Sequence, residues 1–255
     1  MDLLQLVMIV KNAGSSLEET LSKILPHIDY WTILDTGSDD GTQELIQKIC
    51  KNKPGKLFEE PFIDFAISRN RALELAGDKC KYTIILDDTY ILYGGLELRK
   101  YLKNNKSYSA FNIKIFNNPD VEEASNYYSI RILRAIDKLK YKYKVHEIVD
   151  VCENKLVNIR HSNIYIFDNN TAAGLRRSQI RQNLQIKLLK EDLINYPNDP
   201  YIYYNLGRCY YNIKKYKTSC NYYRKSMKFV DEKSDIYYSS SYFDYLININ
   251  KGYKP

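Results

Sequence analysis

Two aspartates close two apolar runs of similar composition, Asp35 at the end of TILD and Asp87 at the end of IILD. Short apolar runs bounded by turn residues read as fully buried strands. Ligands of open parallel sheets bind at the carboxyl ends of the strands, so two such strands bring both carboxylates to one edge. There Asp35 can accept hydrogen bonds from a base or a ribose. Asp87 can help hold a divalent cation against phosphate oxygens. The plain alternative is a pair of turn-initiating aspartates, and the repetition of the pattern makes it the weaker reading.

The elements that position these groups follow from the hydrophobic periods. Residues 3–10 (LLQLVMIV) read as a buried first strand, followed by a helix capped at Ser15 or Ser16 with Leu17, Leu21, Ile24, Leu25 and Ile28 at helical spacing. Residues 30–37 form a second strand with a glycine turn, 41–52 a helix, 56–60 a short strand, 64–77 a helix closed by Gly77, and 82–88 another buried strand. Strands alternating with helices predict an α/β fold with a mostly parallel sheet covered on both faces. The pattern then changes: 108–116, 126–134, 142–152 and 157–167 read as antiparallel strands or hairpins, and the chain turns helical again from Ala172. In 201–227, Leu206-Gly207 is followed by Tyr210, Tyr216, Ser219, Tyr223 and Ser226. This is the spacing of a tetratricopeptide (TPR) helix–turn–helix, in which small residues let two helices approach and aromatics fill between them. A partial second copy starts near Asp235. One repeat and a fragment cannot cover its own face, which predicts packing on neighbouring helices or a homodimer through this region.

Composition narrows the class. With 255 residues, 44% of them hydrophobic, the chain can bury a core. Its five cysteines form no CxxC pair, which argues against a disulfide framework or zinc ribbon and predicts a reducing, cytoplasmic location. The N-terminus lacks the basic start of a signal peptide, and no apolar run approaches the roughly 18 residues of a membrane span. Charge is uneven: residues 1–100 hold 12 Lys and Arg against 16 Asp and Glu, the remainder 26 against 15. No basic run is sustained and no nucleic-acid motif appears, so the basic half reads as a solvated face rather than a nucleic-acid surface, with a peripheral membrane contact as the alternative.

The stretches MIVKN (8–12), ILDTGSDDGT (33–42), DFAISRNRAL (64–73), IILDDTYIL (84–92), YKVHEI (143–148) and IRH (159–161) resemble, in order and spacing, the family 2 glycosyltransferases of the GT-A fold. The specific likeness is to the branch with C-terminal TPR-like helices. It implies a Rossmann-like GT-A domain over 1–168 and a helical linker and TPR-like domain over 169–255. It also implies a nucleotide-sugar donor, a UDP-sugar above all, and a glycan, protein or lipid-linked acceptor. Val10, Lys11, Asn12, Asp35, Gly37 and Ser38 are then expected around the nucleoside, with Asp64, Arg69 and Asn70 near the ribose and diphosphate. Asp87 and Asp88 fall in the aspartate–x–aspartate metal motif, for which Mn2+ or Mg2+ is the implied ion. Asp87, Thr89, His146 and His161 are the implied metal ligands, and Glu147 the general base of an inverting displacement. The family pattern LDADE is here LDDTY, so Thr89 and Tyr90 stand where two carboxylates are common; Asp88 is expected to point away from Asp87. Two other readings follow from the same residues. One is a nucleotide-sugar-binding relative without catalysis that acts through its helices. The other is a nucleotidyltransferase, disfavoured because no glycine-rich basic loop follows the first strand.

Overall fold

The structure, a computed structural model, describes residues 1–118, 125–170 and 180–250. The chain divides into two compact units, Met1–Lys142 with Glu147–Ala172, and Tyr143–His146 with Ala173–Pro255. A boundary after residue 168 therefore leaves out one feature, the short segment Tyr143–His146 that belongs with the C-terminal helices.

The first unit is built on strands β1 (Asp2–Val10), β2 (Tyr30–Asp35), β3 (Gly55–Glu59), β4 (Cys80–Ile85), β5 (Tyr90–Tyr93), β6 (Ala110–Asn117), β7 (Asn126–Arg134), β10 (Leu156–Asn158) and β11 (Tyr165–Asp168). They form one sheet in the order β3–β2–β1–β4–β7–β6–β11–β5, with β10 also paired to β6. β3, β2, β1 and β4 run parallel, β7 is antiparallel to both β4 and β6, and β10 and β11 lie parallel to β6. The last two depart from the all-antiparallel reading of 108–167. Residues 142–152 do not form one strand either. Only β8 (Tyr141–Lys142) and β9 (Ile148–Val149) pair, because Tyr143 (φ 68°) and His146 (φ 53°) adopt left-handed backbone that a continuous ladder excludes.

β1 is apolar at nearly every position because helices cover both faces of the sheet, as buried parallel strands require. Leu4, Leu6 and Met8 join a core cluster with Leu17, Leu21 and Ile24 of α1 (Ser16–Ile24), Ile46 of α2 (Thr42–Cys50) and Leu98 and Leu102 of α4 (Gly95–Asn104). Val7 and Leu34 face the other way, onto Ala72 and Ala76 of α3 (Phe65–Ala76). Each such large side chain withdrawn from water contributes about 1.5–3 kcal/mol. β5 and α4 have no counterpart in the sequence reading.

The second unit contains α5 (Gln182–Asn195), α6 (Pro200–Asn212), α7 (Tyr216–Lys228) and α8 (Asp235–Asn250). The helical onset expected at Ala172 lies outside the described residues. Asp199 caps α6 by accepting from the Tyr201 amide at 2.9 Å, ahead of Pro200 at the first helical position. α6 and α7 meet through the small residues of the pattern. Ser219 Oγ donates to the Gly207 carbonyl at 2.8 Å, Ser226 Oγ donates to the Pro200 carbonyl at 2.7 Å, and Tyr223 is fully buried against Gly207. α8 continues the stack, with Phe243 against Tyr223 at 5.5 Å and Asp244 accepting from Arg224 at 3.2 Å. Tyr143 and Lys144 are held in this unit by Asp199 and Asp192.

A Cβ on Gly207 would stand 2.6 Å from the Tyr223 ring. Gly207→Ala is therefore expected to destabilise the helical unit by about 1–3 kcal/mol through overpacking. Urea unfolding followed by circular dichroism measures this, and an unchanged midpoint would contradict the packing described.

Candidate active site

The loops that follow β1 and β2 are laced together at the carboxyl edge of the sheet. Thr36 N and Oγ1 both donate to the Val10 carbonyl, at 2.8 and 3.0 Å. Asn12 N donates to Ser38 Oγ at 2.8 Å, and the Asp39 amide donates to Asn12 Oδ1 at 2.9 Å. Asn12 carries a left-handed φ of 51°, which its short amide side chain tolerates, and Gly37 sits at φ 102°, where a Cβ would be strained. Lys11 is exposed, with its Nζ beside Gly37.

Asp35 lies inside this lacework and exposes none of its surface. Its Oδ1 accepts from the Gly37 and Ser38 amides, both at 2.8 Å, and from Gln43 Nε2 at 3.2 Å. Its Oδ2 is buried with no hydrogen-bond partner among the described residues. A buried carboxylate oxygen without a donor is costly.

Two strand spacings away, roughly 10 Å across β1, stands a chain of alternating charges. Arg69 donates through Nε to Glu147 Oε1 at 2.5 Å and through Nη2 to Asp87 Oδ1 at 2.6 Å. Arg131 donates through Nη1 to Asp87 Oδ2 at 3.2 Å and through Nη2 to Tyr90 Oη at 3.2 Å. The Arg131 guanidinium also lies over the Tyr90 ring at 4.7 Å. Burial disfavours the charged form of Asp87, but Arg69 and then Arg131 outweigh it and hold the carboxyl well below the usual carboxylate range. Burial likewise opposes the charge of Arg69, and Asp87 and Glu147 more than offset it. Arg69 Nη1 and Arg131 Nε remain buried without partners among the described residues.

Several expected site residues do different work. Asp64 is the N-cap of α3, accepting from the Ile67 amide at 2.7 Å, and so fixes the helix that carries Arg69. Asn70 gives its amide to the Tyr141 carbonyl at 2.9 Å and accepts from the Tyr141 amide at 2.8 Å. It thereby positions the Tyr141 ring, whose centroid is 5.8 Å from the Arg69 guanidinium carbon. Asp88 turns toward α1, as expected from its alternation with Asp87. Its carboxylate accepts from Ser16 Oγ at 3.4 Å and its carbonyl from Thr20 Oγ1 at 2.9 Å. Arg131 is the residue that sequence reading does not single out, and Tyr90 enters there only as a departure from the motif. The signal for Arg131 is a charge between Ile130 and Ile132 in an otherwise apolar stretch of β7.

The four residues expected to hold a divalent ion are divided between the two units, His146 in the second and the others in the first. Asp87 has both oxygens engaged by arginines, and Thr89 Oγ1 donates to Asp168 Oδ1 at 2.6 Å. His161 is exposed and precedes the start of β11, whereas β11 meets the Thr89 end of β5 only at its last residue, Asp168, so His161 lies beyond the opposite end of that strand. His146 packs in the helical unit, where its carbonyl accepts from Tyr201 Oη at 3.0 Å. Burial, and secondarily the charge of Arg208, lower its ring pKa to about 4, leaving it neutral at pH 7. No group of three or more His, Cys, Asp and Glu side chains suited to a metal exists among the described residues. The described side chains thus form no ready-made cage for the implied Mn2+ or Mg2+.

The ion pairs of Asp87 carry a pH signature. A depressed folded-state value means that its stabilisation is complete above the unfolded value of about 3.9 and is lost as pH falls below it. Asp87→Asn removes this contribution. Between about pH 4 and pH 2 the wild-type chain should lose unfolding free energy more steeply than the variant. Parallel slopes in urea titrations would contradict the pairing.

No family model matches the chain. Over 241 residues, 88% of its length, it is 27% identical to the SPbeta prophage-derived glycosyltransferase SunS of Bacillus subtilis (strain 168), and equally to glycosyltransferase SunS of Bacillus phage SPbeta. The match takes in 54% of those proteins, so the chain spans about half the length of the curated relatives it matches. Among solved structures, S. aureus TarS 1-349 in complex with UDP-GlcNAc shares its fold with a TM-score of 0.57 at 11% identity, covering 99% of this chain and 92% of that one. Longer TarS gives a TM-score of 0.57 over 100% of this chain and 55% of its own. The chain is thus a relative of glycosyltransferases, of SunS in sequence, and it has the fold of TarS.

Proposed function

We propose that this chain binds a nucleotide-sugar, a UDP-sugar above all, and transfers the sugar with inversion to a glycan, protein or lipid-linked acceptor. The observation that carries the reading is the unpartnered, fully buried Oδ2 of Asp35, on the same sheet edge as the Arg69–Asp87–Arg131 cluster. It accepts from the nucleobase or ribose, while the Val10–Asn12 and Gly37–Ser38 loops frame the nucleoside. The donor diphosphate then extends across β1 toward β4. SunS is named a glycosyltransferase and the TarS fold is seen with UDP-GlcNAc, which supports both the reaction class and the donor class.

Glu147 is the general base of the proposed reaction. Its carboxylate, 13% exposed, is fixed by Arg69 at the rim of the cluster. It takes the acceptor's proton as the acceptor atom bonds to the anomeric carbon. The bond from that carbon to the diphosphate breaks, and its electron pair stays on the β-phosphate oxygen. Attack and departure on opposite faces invert the anomeric centre.

Calorimetric titration with UDP is expected to give saturable binding, weakened about tenfold or more in Asp35→Asn, where an amide replaces the accepting oxygen. Glu147→Gln should retain UDP binding while lowering UDP release from the accepted UDP-sugar by about 10²–10⁴. Absence of UDP binding would overturn the nucleotide assignment. Binding without turnover across a panel of UDP-sugars and acceptors would instead favour a non-catalytic relative.

A further inference from the structure

We infer that the guanidinium groups of Arg69 and Arg131 bind the donor's diphosphate directly, and that nucleotide binding by this chain needs no divalent cation. The inference rests on the nucleotide-sugar reading above and deepens it by assigning the cationic part of the same site.

Three observations point the same way. First, both oxygens of the carboxylate in the metal-motif position are already engaged by nitrogen donors: Oδ1 of Asp87 accepts from Arg69 and Oδ2 from Arg131. An ion at Asp87 would compete with two guanidinium groups for this carboxylate, and a buried guanidinium that loses its carboxylate is strongly unfavourable. Second, both arginines keep an unused donor. Arg69 is only 8% exposed, yet its Nη1 has no partner among the described residues, and neither has Arg131 Nε. Each guanidinium thus has a buried nitrogen with no acceptor among the described residues, a place for an acceptor that these residues do not supply. Third, the neighbouring motif positions serve the arginines and not an ion. Thr89 is neutral and donates to Asp168, while Tyr90 accepts from Arg131 and lies under its guanidinium.

Two planar cations bridged by one carboxylate suit a diphosphate, because each guanidinium can present paired N–H groups to phosphate oxygens. Charge developing on the β-phosphate oxygen as the anomeric bond breaks is met by these fixed donors. The electron pair of that bond stays on the oxygen, and the acceptor's proton is on Glu147, so the step is balanced without a further reagent.

The test compares UDP with uridine, which lacks the phosphates, by calorimetry in EDTA and again in Mn2+ or Mg2+. In EDTA, UDP should bind at least about tenfold more tightly than uridine, and added metal should change the UDP affinity by no more than about threefold. Arg131→Met should weaken UDP by about tenfold or more and leave uridine unchanged. If that variant does not fold, the wild-type comparison decides alone. UDP binding that matches uridine in EDTA and tightens about tenfold or more with metal would overturn the arginine assignment while leaving the nucleotide reading intact. Failure of both ligands to bind in every condition would overturn the nucleotide reading and this inference with it.

Discussion

Two guanidinium groups taken largely out of water require compensation, and one carboxylate, Asp87, is shared by both. This constraint organises the carboxyl edge of the sheet. Arg69 comes from α3, Arg131 from β7, Asp87 from the turn after β4 and Glu147 from the stretch just before β9. Four separate segments converge on one alternating row of charges, and none can shift alone without leaving a charge unpaired. Asp64 and Asn70 act on the same row at one remove. One starts α3 and the other fixes the Tyr141 backbone, so Arg69 is held at both ends of its local frame.

The second constraint is the lacing of the first two loops. Asp35 spends three hydrogen bonds on Oδ1 and none on Oδ2, an asymmetry that a purely structural turn does not need. A turn-initiating aspartate would be satisfied by the Gly37 and Ser38 amides at a solvated surface. Here the same carboxylate is wholly buried, so its second oxygen carries the cost of desolvation, which a donor of the proposed nucleotide would relieve.

Much of this was legible in the sequence where the chain is locally consistent. β1, β2, β4 and helices α1 to α3 are long, periodic and bounded by caps or glycines, and Asp35, Arg69 and Asp87 fall at their ends or on their inner faces. Legibility fails where side-chain pattern and backbone separate. Residues 142–152 alternate like a strand, yet left-handed backbone at Tyr143 and His146 breaks the ladder and splits the His146-Glu147 pair between the two units. β10 and β11 read as hairpin strands because periodicity reports burial and not direction; their parallel pairing to β6 is a property of the sheet. Arg131 was hidden for a related reason, since a lone charge in a strand has meaning only once its cross-sheet partner is known.

The departure from LDADE to LDDTY acquires a physical sense from charge balance. Asp87, Glu147, Arg69 and Arg131 sum to zero, so the cluster carries no net charge to repel a diphosphate, and in the proposed complex the unpartnered guanidinium nitrogens meet its oxygens. A second carboxylate at position 89 would make the row net negative against the phosphates, and a divalent ion would then be needed to restore attraction. The neutral Thr89 adds no such charge, and Tyr90 adds a hydroxyl and a ring that hold Arg131 rather than a charge that competes for it. In the proposed transfer, moving the acceptor's proton to Glu147 removes one negative charge from the row as the leaving diphosphate gains one. The cluster then turns net positive at the step where positive charge lowers the barrier. Loss of the second motif carboxylate and recruitment of Arg131 by Tyr90 are, on this view, two sides of one electrostatic change.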